Sequence, residues 1–170
     1  LYTVDHKGDE SYQIKILNLA QNNYLPDILE KISGKVIWHE KLNGFFYTEI
    51  NENLRPTKVF FYQLGTEPKL IFEEKNPLYT LRLDKTASRK YLMIESAGAQ
   101  ENEIYLLDFD DPNLESVLFK ARQEKVFYNI EHNGDKFYIH SNDQGANFRL
   151  ATTSTNNYAT TSWSDFIPLD

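Results

Sequence analysis

The sequence predicts an all-β chain built from four-stranded antiparallel repeats, and three observations predict it. Short apolar or alternating runs are separated throughout by turn chemistry, Gly, Pro, Asn and Asp in clusters. Third-strand positions recur at Gln13, Val59, Ile104 and Phe148, separated by 46, 45 and 44 residues. Two further positions keep the same beat, Tyr47, Tyr91 and Tyr138 on the second strand and Leu25, Leu70 and Val117 on the fourth. A repeat of about 45 residues with four strands each is the signature of a β-propeller, one blade per repeat. A β-sandwich also spaces its strands regularly; agreement among three strand positions favours the propeller.

The clearest repeat is 76–119. Tyr79–Asp84 (YTLRLD) alternates Leu81 and Leu83, Lys90–Glu95 (KYLMIE) and Glu103–Leu107 (EIYLL) are apolar runs, and Ser116–Phe119 (SVLF) completes the blade. Upstream, Leu1–Val4 reads as a second strand. Asp5–Glu10 turns into a third strand, Tyr12–Leu19, and Leu25–Glu30 (LPDILE) is a short outer strand. Ser33–Gly34 opens the next blade, with strands Val36–Glu40, Phe45–Ile50, Val59–Leu64 and Leu70–Glu73, its second and third strands joined by a polar loop over 51–56. The last blade takes Phe127–Glu131, an Asn133–Gly134 turn of the kind that closes hairpins, Lys136–His140, Phe148–Thr152 and Asp165–Ile167. The predicted organisation is an incomplete blade over 1–30 and blades over 31–75, 76–120 and 121–170, about three and three-quarter blades in all. Propellers close with about four to eight blades, so this is expected to be a piece of a longer protein. Its open blade edges are a route to self-association.

Composition narrows the function. The 170 residues carry a net charge of −7, which disfavours nucleic acid and anionic membranes as partners. No apolar run approaches the roughly 18 residues of a membrane span. Eleven Tyr and eleven Phe suit sheets. The lack of cysteine fits a reducing compartment, so a cytoplasmic location is expected, with the periplasm as an alternative. The first residue is Leu and no signal peptide is visible, so the native start is expected upstream.

Innermost blade strands should face a central channel. On them the channel-lining candidates are His39, Glu40, Arg82, Asp84, Glu131 and His132, with Trp38 expected in the core. The bland reading of the charged residues is hydrogen bonding between blades. His132 and His140 straddle one hairpin and could approach each other. No histidine has metal-site spacing, and no metal or cofactor is expected. The acidic run Asp108–Pro112 (DFDDP) lacks the glycine and distal Glu of a calcium loop and reads as a turn. Glu73 and Glu74 are adjacent on a strand, point to opposite faces, and make a poor acid/base couple. Neither a Gly-x-Ser-x-Gly elbow nor a phosphate-cradling glycine loop occurs, so no catalytic residue is assigned.

Several motifs in order carry a resemblance. Asp5, Gly8, Glu10 and Tyr12 fit an Asp-x-x-Gly-x-Glu-x-Tyr pattern. LPDILE at 25–30 precedes Trp38, followed by GFFY at 44–47, KVF at 58–60 and LGT at 64–66. This series resembles the propeller of the prolyl oligopeptidase family. LIFEEK (70–75), KTASRKY (85–91), NEIYLLD (102–108) and SNDQGANFRL (141–150) resemble its oligopeptidase B, or protease II, branch. The resemblance covers nearly the whole chain. It implies a seven-bladed propeller, roughly 315 residues at this repeat, capping a C-terminal α/β-hydrolase domain of the same protein. That domain carries the Ser, Asp and His of a serine peptidase. It implies that the propeller admits peptide substrates and excludes folded proteins, and that cleavage follows Arg or Lys. No residue of this chain inherits a catalytic role. The competing expectations are a stand-alone propeller that binds proteins without peptidase activity and, more distantly, a carbohydrate-binding β protein.

Overall fold

The computed structural model describes residues 1–25, 29–159 and 162–167, none of them helical. The chain forms two compact units, Leu1–Leu83 and Asp84–Asp170. In the first lie β1 (Tyr2–Val4), β2 (Tyr12–Lys15), β3 (Leu17–Asn18), β4 (Asn23–Tyr24), β5 (Leu29–His39), β6 (Gly44–Ile50), β7 (Pro56–Gln63) and β8 (Lys69–Glu73). Strand β9 (Thr80–Lys85) runs across the division between the units. In the second unit follow β10 (Tyr91–Ala97), β11 (Asn102–Asp108), β12 (Ser116–Lys120), β13 (Tyr128–Asn133), β14 (Lys136–Ser141), β15 (Arg149–Ser154) and β16 (Ser164–Ile167).

Two sheets are four-stranded, ordered β12-β11-β10-β9 and β13-β14-β15-β16, each meandering in chain order as a propeller blade does. The first unit departs from the expected separation of blades. Its strands form one six-stranded sheet, β1-β2-β5-β6-β7-β8, because β5 serves twice. Its first part pairs with β2 (Ile14 opposite Leu29) and its last part with β6 (Val36 opposite Tyr47). The register shifts between Ile32 and Val36, at the Ser33–Gly34 step that had been expected to separate two strands. Gly34 has φ +88, and a Cβ there would stand 3.0 Å from the Tyr12 ring, so the bend needs glycine on both counts.

Other differences are local. The third strand expected over 12–19 stops at Lys15, and Leu17–Asn18 pairs instead with Asn23–Tyr24 in a small hairpin. Of the outer strand expected over 25–30, residues 26–28 lie outside the described residues and Leu29–Glu30 begin β5. The hairpin turn of the last sheet is Gly134–Asp135, because Asn133 already pairs with Lys136. Gly134 at φ +64 occupies the first central position, as in a type II′ turn. Asp108–Pro112 leads into turns, as its residue types predict.

The cores follow from alternation. In β13 every second residue is buried, Tyr128, Ile130 and His132, whereas β6 is buried on both faces. In the first unit Ile14, Ile32, Phe45, Tyr47 and Tyr62 pack together. In the second, Ile104, Phe119, Tyr128, Phe137, Ile139 and Trp163 join the sheets ending in β12 and beginning in β13. Phe119 is at the centre, stacked on Tyr158 (5.0 Å) and edge-on to Phe137 (5.2 Å).

Candidate functional site

Strands β9 and β13 stand at the edges of their sheets, where a propeller presents residues to its axis. Strand alternation sorts their side chains. On β9, Leu81 and Leu83 are buried while Arg82 and Asp84 share the exposed face. On β13, Asn129 and Glu131 share the exposed face. The two histidines among the candidates are buried. His39 accepts a hydrogen bond at Nδ1 from the Leu42 N–H (3.2 Å) and packs its ring between Phe46 and Phe61, tying off the turn after β5. Glu40 lies exposed in that turn. Trp38, expected in the core, is 39% exposed and stacks on Phe45.

His132 and Glu131 hold the β9–β10 turn. The Glu131 carboxylate accepts hydrogen bonds from the Ala87 N–H and its neighbour His132 N–H, both at 2.8 Å. His132 Nδ1 lies 2.8 Å from Ser88 Oγ, and its ring meets Tyr91 edge-on at 5.0 Å. Ala87 to Glu131 and Ser88 to His132 both span 44 residues, the repeat length, so each is a contact from one blade to the next. His132 and His140 do not meet: His132 pairs with Phe137 and is buried, whereas His140 pairs with Asn129 and is exposed.

A polar seam that the sequence did not indicate runs along the same sheets. Asn102 Nδ2 donates to the Tyr128 carbonyl (2.8 Å) and to Glu95 Oε1 (2.7 Å), and its Oδ1 accepts from Tyr128 N–H (2.9 Å). A side-chain amide thus completes a backbone ladder between two sheets. The Tyr128 hydroxyl donates to Lys120 O (2.6 Å) and accepts from Ile104 N–H (2.8 Å). Burial pushes that hydroxyl above the usual phenol range, so it remains a donor. Beside it the Glu103 carboxylate pairs with Arg122. At the far end of the last sheet, buried Arg149 grips Asp143 through Nε (2.9 Å) and Nη2 (2.8 Å) and also pairs with Asp165. The guanidinium holds the Asp143 carboxyl below the usual carboxylate range. Among the described residues no three His, Asp or Glu gather in metal-binding geometry.

Comparison with known proteins accounts for this architecture. Residues 1–170 match the family model described as prolyl oligopeptidase, N-terminal beta-propeller domain. The chain is 30% identical over 154 residues to Protease 2 of Moraxella lacunata, covering 88% of this chain and 22% of that protein. It is 26% identical over 171 residues to dipeptidyl aminopeptidase BI of Pseudoxanthomonas mexicana, covering 98% and 24%. Among solved structures it resembles oligopeptidase B from Leishmania major, with a TM-score of 0.89 and 25% identity over 96% of this chain and 24% of that one. Oligopeptidase B from Trypanosoma brucei gives a TM-score of 0.86 at 25% identity, covering 99% and 24%. The chain therefore spans about a quarter of the length of these relatives. It belongs to the prolyl oligopeptidase family, as a stretch of the N-terminal β-propeller on the oligopeptidase B branch.

Proposed function

We propose that this chain is the substrate-gating segment of a cytoplasmic serine oligopeptidase that cleaves short peptides after Arg or Lys. The supporting observation is the match of all 170 residues to the family's propeller model, joined to the likeness to oligopeptidase B. In this reading a C-terminal α/β-hydrolase domain of the same protein carries the Ser, Asp and His. The propeller supplies a rigid, size-limiting entrance.

The physical contribution of this chain is selection before chemistry. Sheets locked by side-chain and backbone hydrogen bonds resist spreading, so a folded protein is held out while an extended peptide passes. Arg82, Asp84, Asn129 and Glu131 give the exposed face of the edge strands polar groups of both signs. Asp84 and Glu131 raise the local concentration of cationic peptides by the ordinary focusing of charge.

The test uses the full-length protein and short chromogenic peptides with Arg, Lys or Pro before the scissile bond. Turnover is expected for Arg and Lys, with intact folded proteins left uncut. Cleavage after Pro alone would overturn the assigned specificity. A full-length product with no hydrolysis of any of these peptides would favour a propeller that only binds.

A further inference from the structure

The second unit carries a cleft of about 280 Å³ at the mouth of its core, and the peptidase reading makes no use of it. It is lined by Tyr91 and Tyr158 and by the apolar side chains of Leu106 and Val117. Asp108, Asp111 and Glu115 stand at its rim. Asp108, the last residue of β11, and Asp111 belong to the acidic run 108–112 that is too poor in ligands for a calcium loop, and Glu115 follows it. Drug-sized ligands need roughly 300–1,000 Å³, so the cleft fits a single long side chain.

One cation of the chain stands beside two of these lining residues. Lys90 Nζ lies 5.3 Å from the centre of the Tyr91 ring and 3.9 Å from Asp108 Oδ2, with 43% of its side chain exposed. Tyr91 first, with Asp108 and Asp110 behind it, holds this ammonium above the usual lysine range. Asp111 accepts hydrogen bonds from the backbone N–H groups of Asn113 (3.0 Å) and Glu115 (2.9 Å), which fix its carboxylate. Tyr158 is held flat against Phe119, with an interplanar angle of 13°, so the ring is a fixed wall.

We propose that this cleft docks an arginine side chain of a peptide, with the guanidinium between the tyrosine rings and the rim carboxylates. Arginine fits better than lysine because its planar group stacks on an aromatic face and presents paired donors to a carboxylate. Charge complementarity and the apolar walls select this occupant over an anionic or purely apolar one. The inference does not rest on the peptidase reading, because binding is measured without turnover.

The experiment is fluorescence anisotropy of a labelled tetra-D-arginine peptide on the full-length protein, with a tetra-glutamine peptide for comparison. Glu115→Gln is expected to weaken the arginine peptide about tenfold, a loss of about 1.4 kcal/mol. Tyr158→Leu should weaken it similarly and Tyr158→Phe should restore it, with thermal melts confirming folding. Glu124→Gln removes the same charge at an exposed position outside the cleft and should leave binding unchanged. Equal weakening by Glu124→Gln, equal binding of the glutamine peptide, or wild-type affinity in Glu115→Gln and Tyr158→Leu would each overturn the assignment.

Discussion

Asn102 is a residue whose whole effect is local and measurable. Its amide pairs with both backbone groups of Tyr128, which are buried and have been given up by water. Asn102→Ala leaves a donor and an acceptor unpaired, and each such group costs about 1–3 kcal/mol. Denaturant melts of the variant should therefore show a loss of about 2–6 kcal/mol. Asp143 makes a pH-dependent contribution. Its pKa is lowered in the folded state, chiefly by Arg149, so its stabilisation is fully present above the unfolded value of about 3.9 and is lost as pH falls through the folded value. Asp143→Asn is expected to be less stable than the parent at pH 7, and the gap should narrow as pH falls below the ordinary carboxylate range. Melts at several pH values check the sign. Gly44 is a third such point. A Cβ there would meet the Tyr62 carbonyl at 2.5 Å and the Phe61 ring at 2.6 Å. Gly44→Ala should cost about 1–3 kcal/mol through overpacking, read from the same melts.

At the scale of the element, β5 is the informative case. Gly34→Ala puts a side chain at φ +88 and against the Tyr12 ring, so the bend and the two pairings on either side of it should loosen together. Hydrogen exchange should show lost protection at the amides of Ile32 and Val36 while those of β13–β15 keep theirs. Most strands were legible in the sequence because alternation and turn chemistry are local: β6, β8, β12 and β16 fall within one residue of expectation at each end. The continuity of β5 was not, since Ser-Gly reads as a break whether the chain turns or merely bends. The early end of β2 was also hidden, because Ile16 and Leu17 look like more of the same strand. Of the candidate site, the alternation of exposed Arg82 and Asp84 with buried leucines was readable. The burial of His39 and His132 was not, because imidazole suits core and surface alike. Asn102 gave no local sign, its partner being 26 residues away. The Ser88–His132 and Ala87–Glu131 contacts leave one trace, a separation equal to the repeat.

For the whole molecule, the gating reading predicts an effect that depends on substrate length. Asp84→Ala in the full-length protein should lower kcat/KM for basic peptides of several residues while leaving a single-residue Arg anilide nearly unchanged. A uniform fall across lengths would show that the residue acts on folding or chemistry instead. The six-stranded sheet also bears on how such chains diverge. Where β8 passes to β9 and β12 to β13, the connections over 74–79 and 121–127 belong to no strand, and extra residues within them shift no strand register. The passage through β5 has less slack, since a single added residue would turn the strand's faces over for one of its two partners. Relatives of this chain should therefore vary in length at the later two junctions and keep a constant residue count across the first.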